Sequence, residues 1–313
     1  MLNKIKSQYI LRKILSFNDE IINLKIIKYN KELQKKLGVN IESYKNFRKI
    51  EIEIFPGKDK IKEIQEDFII LRQKKNFKFI NYNIRDKPYF HIYFDDNDKE
   101  EKRNSINIDE DISKIKIIID YQVKSIMELF YEISYMKKIK FIRFDRNDFC
   151  RFTHMFFASL FLANIELSEL KTENATNMNG MFRDCSSLIS LDLSNFKTCK
   201  VKDMSNLFKG CHSLKYLDLS SFDTSNVKHM TGMFSDCSKL EIIKLKNFNT
   251  SNVIDMKEMF YCCSSLSDID ISHFILKNVK SMKGMFSGIG NELKTKIKQQ
   301  NPGLKDEAFI EYK

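Results

Sequence analysis

The chain has 313 residues, a net charge of +11, 42% hydrophobic and 12% aromatic residues, and few breakers (nine Gly, three Pro). This is enough apolar material for a sizeable core, which excludes a disordered chain. The positive charge is spread evenly, 26 Lys/Arg against 20 Asp/Glu in residues 1–120 and 27 against 22 in 121–313, so it forms no concentrated basic stripe for nucleic acid.

Residues 4–37 are helical in character. Ile10, Ile14 and Phe17 share one face, Ile21, Leu24, Ile27 and Leu33 continue the spacing, and Gly38 stops it. The run Ile10-Leu11-Arg12-Lys13-Ile14-Leu15-Ser16-Phe17 resembles the core of an F-box, followed at a suitable distance by a second helix around Lys28–Lys31. That resemblance implies docking to a Skp-type adaptor through Ile10, Leu11, Ile14, Leu15 and Phe17, in a chain that hands substrate to a ubiquitin ligase. The alternative is two amphipathic helices packed on an N-terminal domain.

Ile50, Ile52 and Ile54 alternate with Glu51 and Glu53, the two-residue rhythm of a strand ending at Pro56-Gly57. Residues 61–72 read as a helix. Phe77–Ile84 and Tyr89–Phe94 read as a hairpin across Arg85–Pro88. The polar stretch 95–111 reads as a linker. Its acidic run departs from a calcium loop, with Glu101 where the turn needs Gly and Asn107 where a bidentate Glu belongs.

From residue 127 the chain repeats every 26 residues. Phe130, Phe156, Phe182, Phe208, Phe234, Phe260 and Phe286 mark the period, each preceded by Leu or Met. Within the unit at Phe208, Leu217 and Leu219 alternate as in a strand. Val227, Met230, Phe234 and Cys237 recur at three- and four-residue steps, as on one face of a short helix, with Thr224, Ser225 and Asn226 placed to cap it. Units of this kind bury their apolar faces by stacking. The expected fold is an α/β, leucine-rich-repeat-like solenoid of about seven coils, with a parallel sheet on one side and short helices on the other. A small α/β domain precedes it. The boundaries are 1–94 for the N-terminal domain, 95–111 for the linker, 112–290 for the solenoid and 291–313 for a C-terminal cap or tail.

The run M-F-x-x-C-x-S-L-x-x-L-D-L-S-x-F-x-T-S-x-V-x-x-M, followed at Met181–Met204 with Cys199 for the Ser after Thr198, and again, with Leu for the first Met, at Leu207–Met230, resembles the BspA-like leucine-rich repeat family. The resemblance covers about half the chain. It implies a surface protein that binds host or matrix components.

Cys185, Cys211, Cys237 and Cys263 share one repeat position and read as small side chains filling a tight corner. The histidines occupy unrelated positions and no metal site is expected. A ladder of free thiols suits a reducing compartment. The N-terminus, broken by Lys4, Lys6, Arg12 and Lys13, does not read as a signal peptide. The longest apolar run, Met155–Ile165, is short of the ~20 residues that span a bilayer. The location expected from the residues is cytoplasmic, and from the family resemblance the cell surface.

No G-x-G-x-x-G, P-loop, G-x-S-x-G or H-E-x-x-H occurs, so no catalytic residue and no cofactor is expected. The expected function is non-catalytic protein binding through the strand face, with an F-box-type adaptor and an adhesin-like surface protein as the alternatives. The candidate face is Lys140, Glu166, Asp192, Asp218, Lys244 and Asp270, which stand between the strand apolars, flanked by Tyr216 and Ile242 as contact anchors. An ordinary hydrated face is the other reading of the same residues.

Overall fold

The computed structural model describes residues 31, 32, 35, 49–57, 75–133 and 135–311. The expected adaptor-docking residues Ile10, Leu11, Ile14, Leu15 and Phe17, and the helix expected over 61–72, lie outside them. The chain divides into two compact units, Met1–Lys49 and Ile50–Lys313. Residues 31, 32 and 35 of the first are helical.

The second unit begins with a strand whose alternation was legible in its isoleucines. In β1 (Ile50–Pro56), Ile50, Ile52 and Ile54 are fully buried. β1 sits in a five-stranded mixed sheet with β3 (Phe90–Phe94), β5 (Ile115–Ile119), β6 (Met136–Phe144) and β7 (Asn164–Glu166), in the order β3-β5-β1-β6-β7. The first three pairings are antiparallel, and β6 pairs with β7 in parallel. Ile115, Ile117 and Ile119 are as buried as the β1 isoleucines they face.

The expected hairpin is not formed. β2 (Asn76–Lys78) pairs with β4 (Ser105–Asn107), and β3 pairs with β5. Nor are residues 95–111 a linker between domains. Ile106 in β4 is 1% exposed, Glu101 donates its N–H to the Ile92 carbonyl at 2.7 Å, and Arg103 grips Glu110 with two hydrogen bonds. Two isoleucines in a polar run, Ile106 and Ile108, pack this segment onto the core. The compact division therefore falls at Lys49/Ile50 and not near residue 94.

The expected α/β leucine-rich-repeat-like solenoid, with a sheet on one side and helices on the other, does not form. Among the described residues the 26-residue units contain no α-helix. The one long helix among the described residues is Asn291–Gln300, beyond the repeats. Among the described residues parallel pairing is confined to β6–β7, β8 (Tyr216–Asp218) with β9 (Ile242–Lys244), and isolated bridges.

The backbone explains why. Each unit places two left-handed residues four apart. One series is Glu128, His154, Gly180, Asn206, Gly232, Glu258 and Gly284; the other is Glu132, Ala158, Asp184, Gly210, Asp236, Cys262 and Gly288. Positive φ interrupts an α-helix at once. The N–H groups a helix would use internally point to the neighbouring unit instead. Met178, Gly180, Phe182 and Asp184 donate to the carbonyls of Asp203, Ser205, Leu207 and Lys209 at 3.0, 2.9, 3.0 and 2.6 Å.

Successive units are joined rung by rung in this way. Neighbouring phenylalanines from Phe130 to Phe286 stack at centroid distances of 5.1 to 5.7 Å. The threonines expected to cap helices also reach across units. The Thr224 hydroxyl donates to the Asn249 carbonyl and accepts the Asn249 N–H. Thr198 and Thr250 do the same with Asp223 and Ile275.

Candidate protein-contact site

The residue between the two strand apolars points outward in each unit, because its neighbours on either side turn inward. Leu217 and Leu219 are fully buried, and Asp218 between them is half-buried. The candidate residues fall into two groups joined by parallel pairing. Lys140 on β6 registers with Glu166 on β7, and their side chains approach to 3.5 Å, with Lys138 also paired to Glu166. Asp218 on β8 registers with Lys244 on β9, 3.3 Å apart. Aspartates stacked at 192 and 218 would repel each other, and Lys244 offsets this at Asp218.

Tyr216 ties this second group together. Its hydroxyl donates to Asp218 at 3.1 Å, and the Lys244 ammonium lies 5.4 Å from the ring centroid. Ile242 is the direct register partner of Tyr216.

The aspartates also have a local task. The carboxylate of each accepts the backbone N–H two residues on: Ser194 for Asp192 (2.9 Å), Ser220 for Asp218 (3.0 Å) and Ser272 for Asp270 (3.0 Å). These bonds close the turn after the strand position. They favour the ionised form, and the bonds to Ser220 hold Asp218 down at about 2. Asp192 is lowered by its bonds to Ser194, and Asp270 by its bonds to Ser272.

Three large apolar side chains stand exposed on this face in successive units: Ile189 (58%), Tyr216 (45%) and Ile242 (49%). Sequence reasoning had Tyr216 and Ile242 but not Ile189. The signal was available, since Ile189 occupies the position held by Lys215, Glu241 and Ser267 in the units that follow.

Ile189 borders a groove. Between residues 186–192 and 212–218, no hydrogen bond crosses among the described residues. The next unit is closed there: β8 pairs with β9, Glu241 and Ile242 donate to the Lys215 carbonyl, and Leu219 donates to that of Lys244. The opening holds about 660 Å³ and is lined by 189–194, Lys215, Tyr216, Asp218, Ser220 and Ser221. Leu191 is only half-buried, whereas its equivalents Ile165, Leu217, Ile243 and Ile269 are all buried.

Among the described residues no group of three or more His, Cys, Asp or Glu side chains could hold a metal ion, and no helix is long and apolar enough to cross a membrane. The model of a family described as "Mycoplasma protein of unknown function, DUF285" matches residues 124–217 and 189–300. Neither the curated proteins nor the solved structures contain a match to the chain.

Proposed function

Because the chain belongs to the DUF285 family, whose description carries no function, we propose on the strength of its surface that it is a non-catalytic protein-binding module. The contact ridge is Ile189, Tyr216 and Ile242. One observation carries this reading: three large apolar side chains in successive units, each about half exposed, stand at adjacent repeat positions that most other units fill with polar or charged residues. Exposed apolar groups in a row lose free energy to water that a partner recovers, and a tyrosine anchored by Asp218 and Lys244 meets a partner with little ordering cost. The rim is polar and carries both signs, with Lys215, Glu241, Lys244 and Asp218 exposed or half-exposed around the ridge.

A photocrosslinking amino acid placed at position 216 or 242, with position 171 on a different exposed turn as control, tests this in the cells that make the protein. The expected result is a discrete adduct from 216 and 242 and none from 171. Adducts of equal yield from all three positions, or none from 216 and 242, would remove the ridge as the contact surface. The variant Tyr216→Ser/Ile242→Ser should weaken the complex by at least about tenfold, since anchor truncations commonly cost more than 1 kcal/mol each.

A further inference from the structure

We propose that the open seam between residues 186–192 and 212–218 takes an extended peptide segment of the partner, paired through its backbone to Tyr216 and Asp218 and bearing a basic side chain opposite Asp192. The inference rests on the contact ridge of the preceding subsection and names what lies beside it.

Three observations converge. First, β8 has one edge free. The Lys215 carbonyl and the Leu219 N–H are both used toward β9. Backbone groups of a strand alternate in direction, so the N–H and C=O of Tyr216 and Asp218 point away from β9, into the seam. No backbone bond from residues 186–192 reaches them. Unpaired groups on a strand edge are a template for another strand.

Second, the seam has defined ends. The units rejoin on either side: the Cys211 thiol donates to the Phe182 carbonyl, and the Ser221 hydroxyl to that of Leu193 at 3.0 Å. The opening is therefore a bounded slot, within the roughly 300–1,000 Å³ typical of ligand clefts.

Third, the slot has a charge to be met. Among the described residues Asp192 makes its hydrogen bond to Ser194 and no ion pair, whereas Asp218 and Lys215 already have Lys244 and Glu241. An occupant with a lysine or arginine at that point completes the pairing. Apolar side chains on either side of it meet Ile189 and Leu191.

Fluorescence anisotropy of the full chain with three labelled hexapeptides tests this. One alternates valine and lysine, one alternates valine and glutamate, and one is the valine–lysine peptide N-methylated at every backbone amide. The expected result is saturable binding of the first, binding of the second weaker by at least about fivefold, and loss of binding for the third. Asp192→Lys, shown by circular dichroism to be folded, should bring the glutamate peptide level with or above the lysine one. Equal binding of the N-methylated peptide, an unchanged charge preference in Asp192→Lys, or no binding of the first peptide each overturns the inference. Crosslinks from positions 216 and 242 with no peptide binding would overturn the seam alone, and the ridge would stand.

Discussion

The Ser159 hydroxyl donates to the Phe130 carbonyl at 2.6 Å, in the place where a cysteine thiol makes the same bond in each of the next four units. Cys185, Cys211, Cys237 and Cys263 donate to Phe156, Phe182, Phe208 and Phe234 at 3.1 to 3.2 Å. The cysteine is thus a hydrogen-bond donor as well as a corner filler, and serine is its natural replacement. Cys237→Ser should fold with stability within about 1 kcal/mol of the parent. Cys237→Ala, which removes the donor, should cost about 1–2 kcal/mol. Denaturant melts of the two variants check this, and an alanine variant as stable as the serine one would show that the bond contributes nothing.

The same burial governs thiol chemistry. Removal from water pushes the Cys237 thiol up to about 12 and raises Cys185, Cys211 and Cys263 as well, while Cys150 and Cys199 are exposed. Iodoacetamide at pH 8 should label Cys150 and Cys199 in the native chain and reach the four ladder thiols only after unfolding, as read by peptide mass spectrometry. A raised folded-state value makes stability complete below the ordinary thiol range. It is lost as pH rises from about 9 toward 12, because the unfolded chain ionises first. Melts at pH 7, 9 and 10.5 should show that decline, and it should shrink in Cys237→Ser.

Left-handed residues with a Cβ carry strain that glycine relieves. Ala158 has a φ of 52° in a position that Gly210 and Gly288 hold elsewhere. Ala158→Gly should stabilise by about 0.5–1 kcal/mol. The converse change, Gly288→Ala, starts from a φ of 76° and would set a Cβ 3.1 Å from the Cα of Cys262. It should destabilise by more than about 1 kcal/mol. Thermal melts that moved both variants in the same direction would contradict the two-residue left-handed pattern.

Asp218 is both a turn-closing group and a member of the contact face. Asp218→Asn keeps an acceptor for the Ser220 N–H, and Asp218→Ala does not. The alanine variant should lose about 1 kcal/mol more than the asparagine one, and far less than the 2–5 kcal/mol expected for Leu217→Ala in the core. The carboxylate is held at about 2, below its ordinary 3.8. Its contribution is present above the ordinary value and fades as pH falls from about 4 to 2. The gap between parent and Asp218→Ala should therefore close across that interval in acid titrations.

The repeat register, the Phe ladder, the β1 alternation and the outward side of Asp218 were all legible, because burial imposes a period on apolar residues wherever a surface is half-covered. The helix expected from Val227, Met230, Phe234 and Cys237 was not, since three- and four-residue spacing also fits single turns linked by left-handed residues. The glycines held the missing signal. Gly180, Gly232 and Gly284 share one repeat position with Asn206, and Gly210 and Gly288 share another with Asp184 and Asp236, all residue types that tolerate positive φ. Thr224 misled for a different reason: the same hydroxyl that caps a helix can bridge two units, and only the fold decides between them. The ridge was half legible. Tyr216 and Ile242 stood out by size, but the seam is a stretch between 186–192 and 212–218 that no inter-unit bond crosses among the described residues, which no composition or period reveals.

The far end of the ladder is finished by the chain itself. After helix Asn291–Gln300, the carbonyls of Glu307 and Ala308 accept the N–H groups of Gly284 and Phe286 at 2.8 Å, and Phe309 lies 5.7 Å from Phe286 in the aromatic stack. This short stretch occupies the rung that another 26-residue unit would take. A row of backbone donors with stacked rings behind it is costly to leave bare, and these few residues cover it. Loss of the stretch would leave the Gly284 and Phe286 N–H groups and the outer face of the Phe286 ring open to water, an uncapped strand edge prone to pairing with whatever chain meets it.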